Sequence, residues 1–246
     1  MSESVRKRRA DETMTFVIAS HKPWQNNMAE SLRTKTGHEF VQIADVAQFN
    51  VATLSSINPR YVFLPHWSHR VGSAIYERFE CIIFHMTDVP FGRGGSPLQN
   101  LIARGINETK ISAIRCVEEL DAGPVYLKRP LSLHGSAEEI FIRASGIMEE
   151  MIVEILDKEP QPRDQEGQPT VFKRRTPEQS DLAAACSLDE VFDMIRMLDA
   201  EGYPQAFLNV GPLRFEFSRA VRKVDRVLAD VHISLSAAEK GSGTKQ

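Results

Sequence analysis

At 246 residues, with 42% hydrophobic and 26% charged side chains, the chain is long enough for one α/β domain and a small appendage. Its formal charge of -3 gives no sign of a nucleic-acid partner. No apolar run approaches a membrane span and no signal-peptide pattern opens the chain, so neither a membrane partner nor secretion is expected. Cys81, Cys116 and Cys186 are scattered, without metal or redox spacing, and point to a cytoplasmic home. The basic run Arg6–Arg9 precedes the first strand and reads as part of a disordered tail over 1–13 rather than as a nucleic-acid patch.

In chain order, Thr15 to Ser20 is a short, uncharged, β-branched run and reads as a buried strand. A helix is expected over 25–35, strands at Glu39 to Ala44 and Tyr61 to Leu64, a helix over 71–79 and a strand at Cys81 to Phe84. Ser96-Pro97 opens a further helix, with Ser96 as its cap, that stops at Gly105. Strands alternating with helices in this way predict a Rossmann-like, mostly parallel sheet flanked by helices. Ile111 to Val117 and Val125 to Leu133 follow as adjacent strands, then a long helix from Ser136 to about Leu156. The stretch Asp157 to Pro169, rich in Pro, Gln and charge, reads as a linker. A small C-terminal α+β segment over 158–234 contains strands at 171–174, 206–210 and 213–221 and a helix at 188–200. The core domain is therefore expected over 14–157, and a disordered tail over 235–246.

The first strand-to-helix turn reads Ser20-His21-Lys22-Pro23-Trp24, without the glycines that let a backbone approach a pyrophosphate, which argues against a dinucleotide. A ligand in such a fold is expected beyond the carboxyl ends of the strands. His85 stands at one such end, where an imidazole suits proton transfer near neutrality. Asp121 follows the neighbouring strand, where it can orient that ring. Taken singly, a strand-end histidine is more often structural and an LDxG turn more often a plain turn. Gly92, Gly94 and Gly95 let the intervening loop pass close to a ligand.

Together, the run from His85 through Pro90, Arg93-Gly94 and Pro97 to Gln99, followed by Glu119-Leu120-Asp121-Ala122-Gly123-Pro124-Val125, resembles the formyltransferase family that uses 10-formyltetrahydrofolate. The resemblance covers roughly residues 60–156, and the separation of 121 − 85 = 36 residues suits it. It implies that His85 and Asp121 are the catalytic pair. It places the segment Trp67, Ser68, His69 and the loop residues Val117, Glu119 and Leu120 against the folate, and Arg93, Gly94 and Gln99 toward the acceptor. No metal is implied. The family usually carries an asparagine two residues before the histidine, where this chain has Ile83; His66 or Ser68 is the expected replacement for that amide donor.

The segment Phe172 to Glu178, with Arg174-Arg175-Thr176-Pro177, is similar to one that follows the catalytic domain in nucleotide-sugar N-formyltransferases. The resemblance thus implies a nucleotide-linked amino sugar as acceptor. The alternatives are a methionyl-tRNA formyltransferase-like enzyme and a folate-binding module in which Ile83 marks lost catalysis. A homodimer through the C-terminal segment is a further expectation, since relatives often pair there.

Overall fold

The computed structural model describes residues 13–236, so most of each expected tail lies outside the described residues. These divide into two compact units: residues 13–93, 110–131 and 142–171 in the first, and 94–109, 132–141 and 172–236 in the second.

The central sheet of the first unit begins with β1 (Thr15–Ala19), β2 (Glu39–Ile43), β3 (Val62–Pro65) and β4 (Cys81–His85). The short β5 (Arg93–Gly94) precedes β6 (Glu108–Arg115) and β7 (Val125–Ser132). The sheet order is β2-β1-β3-β4-β6-β7. The first four strands pair in parallel, whereas β6 runs antiparallel to β4. Chain covers both faces of β1, β3 and β4, which explains why these strands read as continuous apolar runs rather than alternating ones. The fold is the α/β arrangement expected from the sequence, a mostly parallel sheet flanked by helices.

Three helices connect the parallel strands: α1 (Met28–Thr36), α2 (Val51–Ile57) and α3 (Ser73–Tyr76). Gly37 ends α1 at φ 72 and bonds back to Arg33 O, a left-handed stop that glycine adopts without strain. The sequence reading gave no helix over 51–57. Asn50 caps it through Thr53 N, and Asn58 closes it at φ 52. Helix α4 (Pro97–Ile102) starts at the expected place, but Ser96 is not its side-chain cap. Ser96 sits at φ 50 and its hydroxyl accepts from Arg175 N at 3.1 Å.

The long helix α5 (Ala137–Lys158) is followed by a segment that is no free linker. Arg163 and Val125 exchange backbone hydrogen bonds at 2.7 and 2.9 Å. Thr170 O accepts from Gly92 N and Arg93 N, while Thr170 N donates to Pro90 O. Residues 163–170 thus form a strap fixed to two loops of the first unit, ending at β8 (Val171–Phe172). The second unit contains α6 (Leu188–Arg196), β9 (Ala206–Val210), β10 (Leu213–Arg222) and β11 (Val227–Leu235), the three strands forming an antiparallel sheet in the order β11-β10-β9. Strand β11 extends beyond the elements read from sequence.

Aromatic side chains fill one part of the first unit's core: Phe63 has no exposed surface and its ring lies 5.7–6.3 Å from those of Phe16, Tyr61 and Phe84. Phe63→Ala should lower the urea unfolding free energy by about 3–5 kcal/mol. Val224→Ala, at a side chain 98% exposed, should stay within about 0.5 kcal/mol of the parent.

Candidate active site

Strand β4 is interior to the sheet, paired with β3 on one side and β6 on the other, so its last residue is fixed by both neighbours. That residue is His85, 7% exposed. Its Nε2 lies 2.7 Å from the carbonyl oxygen of Gly92. A carbonyl can only accept, so Nε2 carries a proton and donates it. This leaves Nδ1 as the bare nitrogen of the neutral ring, 3.5 Å from Asp121 Oδ2. Asp121 is 8% exposed, so the two groups meet largely out of water, where charge–charge interactions are strengthened. A proton arriving at Nδ1 would sit between the imidazole and the carboxylate.

The route by which Asp121 arrives differs from the expectation of two neighbouring strand ends. Because β6 is antiparallel, its end lies beside the start of β4: Arg115 pairs with Ile82, and Cys116 N donates to Cys81 O at 2.8 Å. The loop that follows must double back along β4 to reach His85. It does so with Asp121 at φ 55, and with Gly123 pressed so closely on β6 that a Cβ there would stand 1.9 Å from Arg115 O.

Ile83 shares its strand face with Cys81 and His85. Its side chain packs, with that of Trp67, against an apolar cluster that includes Val17, Leu64 and Cys116. No amide stands at this position. Trp67 stacks 4.7 Å from Phe49, and its indole Nε1 is buried with no hydrogen-bond partner. Ser68 and His69 are exposed beside it, Val117 is half-buried, and Glu119 and Leu120 are exposed, Leu120 by 58%.

His66, expected as a replacement donor, is already engaged. Its Nδ1 accepts from Trp24 Nε1 at 2.6 Å and faces Gln25 Nε2 at 3.2 Å, while its Nε2 faces Met86 Sδ at 3.0 Å. Two donors on Nδ1 require the neutral tautomer with the proton on Nε2. Burial, with Lys22 nearby, pushes its pKa from 6.5 down to about 3. The residues expected toward the acceptor also have protein partners. Arg93 donates through Nε to Gln165 and through Nη1 to Glu119, each at 3.0 Å. In the second unit, Gln99 is buried and gives its amide to Met197 O at 3.0 Å, so it is a packing residue rather than a ligand contact here. Gly94 adopts φ 101. The sequence assigns Gly92 no role beyond loop freedom; its carbonyl is what orients His85, a backbone contact with no side-chain signature, and the structure places this glycine at φ 76.

A solved methionyl-tRNA formyltransferase from Clostridium thermocellum is 47% identical, with a TM-score of 0.88, covering 91% of this chain and 100% of that one. The chain belongs to the formyltransferase family. The C-terminal domain of methionyl-tRNA formyltransferase, as a family, matches residues 177–234. The Thermotoga neapolitana methionyl-tRNA formyltransferase is 27% identical over 157 residues, 62% of this chain and 46% of that protein. This member of the formyltransferase family thus spans about half the length of the curated relatives it matches. HypX from Aquifex aeolicus, solved in complex with tetrahydrofolic acid, shares the fold, with a TM-score of 0.70 at 15% identity over 86% of this chain and 38% of that one.

The His66 geometry in this formyltransferase-family chain carries a pH dependence. The folded protein holds His66 neutral down to about pH 3, while the unfolded chain binds a proton below about 6.5. The unfolded state therefore binds more protons in that window, and stability falls as pH drops from about 6.5 toward 3. Urea unfolding at pH 7 and pH 5 should show a larger loss for the parent than for His66→Gln.

Proposed function

We propose that this chain transfers a formyl group from 10-formyltetrahydrofolate to an amine, and that the amine belongs to an aminoacyl-tRNA of the methionyl type. The buried His85–Asp121 contact carries the reading of formyl transfer. The identity with the Clostridium thermocellum protein over its whole length favours this acceptor over the nucleotide-linked amino sugar that the sequence reading put first. The match of residues 177–234 to a methionyl-tRNA formyltransferase C-terminal domain supports the same choice. The sugar remains the second reading, supported by the resemblance of the Phe172–Glu178 segment.

The donor folate fits the residues present. Trp67 offers a buried N–H without a partner, a cost that a ligand oxygen would relieve. Leu120 leaves an apolar surface open beside the backbone of Val117 and Glu119, and Ser68 and His69 border the other side of Trp67 in sequence. When bound, the folate supplies the activated one-carbon unit. His85 takes at Nδ1 the proton that the attacking amine sheds, and Asp121 stabilises the resulting imidazolium. The same proton is then available to the departing nitrogen, so proton and leaving group balance within the site. Ile83 can polarise nothing, and the Nε2 proton of His66 already faces Met86 Sδ, so the donor to the formyl oxygen is Ser68 Oγ, Trp67 Nε1 or a backbone N–H.

Turnover of 10-formyltetrahydrofolate with methionyl-tRNA, and with a panel of nucleotide-linked amino sugars, separates the two acceptors. His85→Asn and Asp121→Asn should each cut kcat by about a hundred- to ten-thousand-fold, in line with general acid–base work, while 5-formyltetrahydrofolate still raises the melting temperature. A melting shift without turnover on any acceptor would instead favour the folate-binding module, and neither shift nor turnover would sink the reading.

A homodimer forms part of the same proposal. Leu213, Phe215 and Phe217 of β10 share one face with their β11 partners Leu235, Ile233 and Val231, and the β9 partners are apolar as well. Val231, Ile233 and Leu235 are about half exposed. Three strands of this length present on the order of 500 Å² in projection, as large as the patches that monomers leave open. The face carries no charge, so it suits a copy of itself about a two-fold axis better than a phosphate backbone. Light scattering should report a dimer for the parent and a folded monomer for Ile233→Lys; a monomeric parent would refute it.

A further inference from the structure

Asp121 reaches His85 only because the loop after β6 doubles back, and it does so in the left-handed backbone region that a non-glycine residue disfavours. Such a conformation persists where its surroundings over-determine it. One constraint is the close approach of Gly123 to Arg115 O. The other is Gln165, in the strap. Its Nε2 donates to Asp121 O at 2.8 Å and to Gly123 O at 2.9 Å, and its Oε1 accepts from Arg93 Nε at 3.0 Å. The partners fix the orientation of the amide, since an arginine nitrogen only donates and a carbonyl only accepts. Arg93 continues to Glu119 on the same loop. The turn carrying Asp121 is thus held on both sides by a side chain 44 positions further along the chain.

We infer that Gln165 is a positioning residue: its two N–H donors hold the Asp121 turn so that the carboxylate faces His85 Nδ1. The inference rests on reading His85 and Asp121 as the reacting pair. Gln165 has no need to touch substrate, because it acts through the Asp121 backbone.

Gln165→Glu in the full chain discriminates this role from simple packing. The carboxylate keeps the size of the side chain and remains an acceptor for Arg93, but it has no N–H to give the two carbonyls. The melting temperature and the affinity for 5-formyltetrahydrofolate should stay close to the parent's, while kcat falls by about a hundred-fold, the effect of a reacting group displaced by an ångström. Introduced into Asp121→Asn, the same change should alter kcat by less than about two-fold, because groups acting as one unit are not additive. Gln165→Met, which removes the donors without adding charge, should repeat the pattern and covers the case in which the glutamate variant folds poorly. NMR of the labelled His85 ring gives a readout independent of turnover. Its signals in Gln165→Glu should move toward those of Asp121→Asn. If the parent turns over no acceptor, the proposed function fails while the ring signals still decide this inference. Parent-like kcat in both variants, an equal loss in the Asp121→Asn background, or unmoved His85 signals would each overturn it.

Discussion

The contact of His85 Nδ1 with Asp121 Oδ2 places a constraint on much of the first unit. Two polar groups are withdrawn from water, which is tolerable only if each has partners. Gly92 O satisfies the far side of the imidazole. Thr87 shares that carbonyl at 3.3 Å, and the hydroxyl of Ser112 on β6 in turn holds Thr87 O at 2.7 Å. The loop that supplies Gly92 O is itself tied by Thr170, in the same strap that carries Gln165. Ring, carboxylate and both loops therefore form one connected set of hydrogen bonds, and each member's geometry depends on the others.

The sheet explains why such bracing is needed. Had β6 been parallel to β4, its following loop would have emerged directly beside His85. The antiparallel register sends the chain the other way, and the return is made with a non-glycine residue at positive φ and a glycine with no room for a side chain. The local cost of that path is offset by bonds from a distant part of the chain, as is common where a polar site is held in a fixed shape.

What could be read from sequence follows the same division between local and distant causes. Strands β1, β3 and β4 were legible because burial on both faces leaves uncharged runs, and His85 and Asp121 because their flanking residues carry a recognisable pattern. Helix α2 escaped notice since its signals are two asparagines, Asn50 and Asn58, which suit loops as well as caps. Strand β11 was missed although Val231, Ile233 and Leu235 alternate with His232 and Ser234 as a strand requires; its apolar side chains stay about half exposed and its pairing to β10 defines it. Gln165 had no legible role at all: it stands in a polar, proline-flanked stretch without periodicity, and only tertiary contacts give it partners. Gln99 was misread in the opposite sense, a motif residue whose amide is spent inside the second unit.

The order in which the chain is made gives the strap a further meaning. Gln165 follows Asp121 by 44 residues, which at ordinary synthesis rates of about 5–20 residues per second is an interval of roughly 2–9 seconds. During that time a growing chain already contains both His85 and Asp121 but not the side chain that closes the turn between them. The segment of the first unit that carries Gln165, residues 142–171, is the last part of that unit to be made. A nascent protein would therefore acquire its paired imidazole and carboxylate late, as a completed unit, instead of assembling them step by step while still emerging from the ribosome.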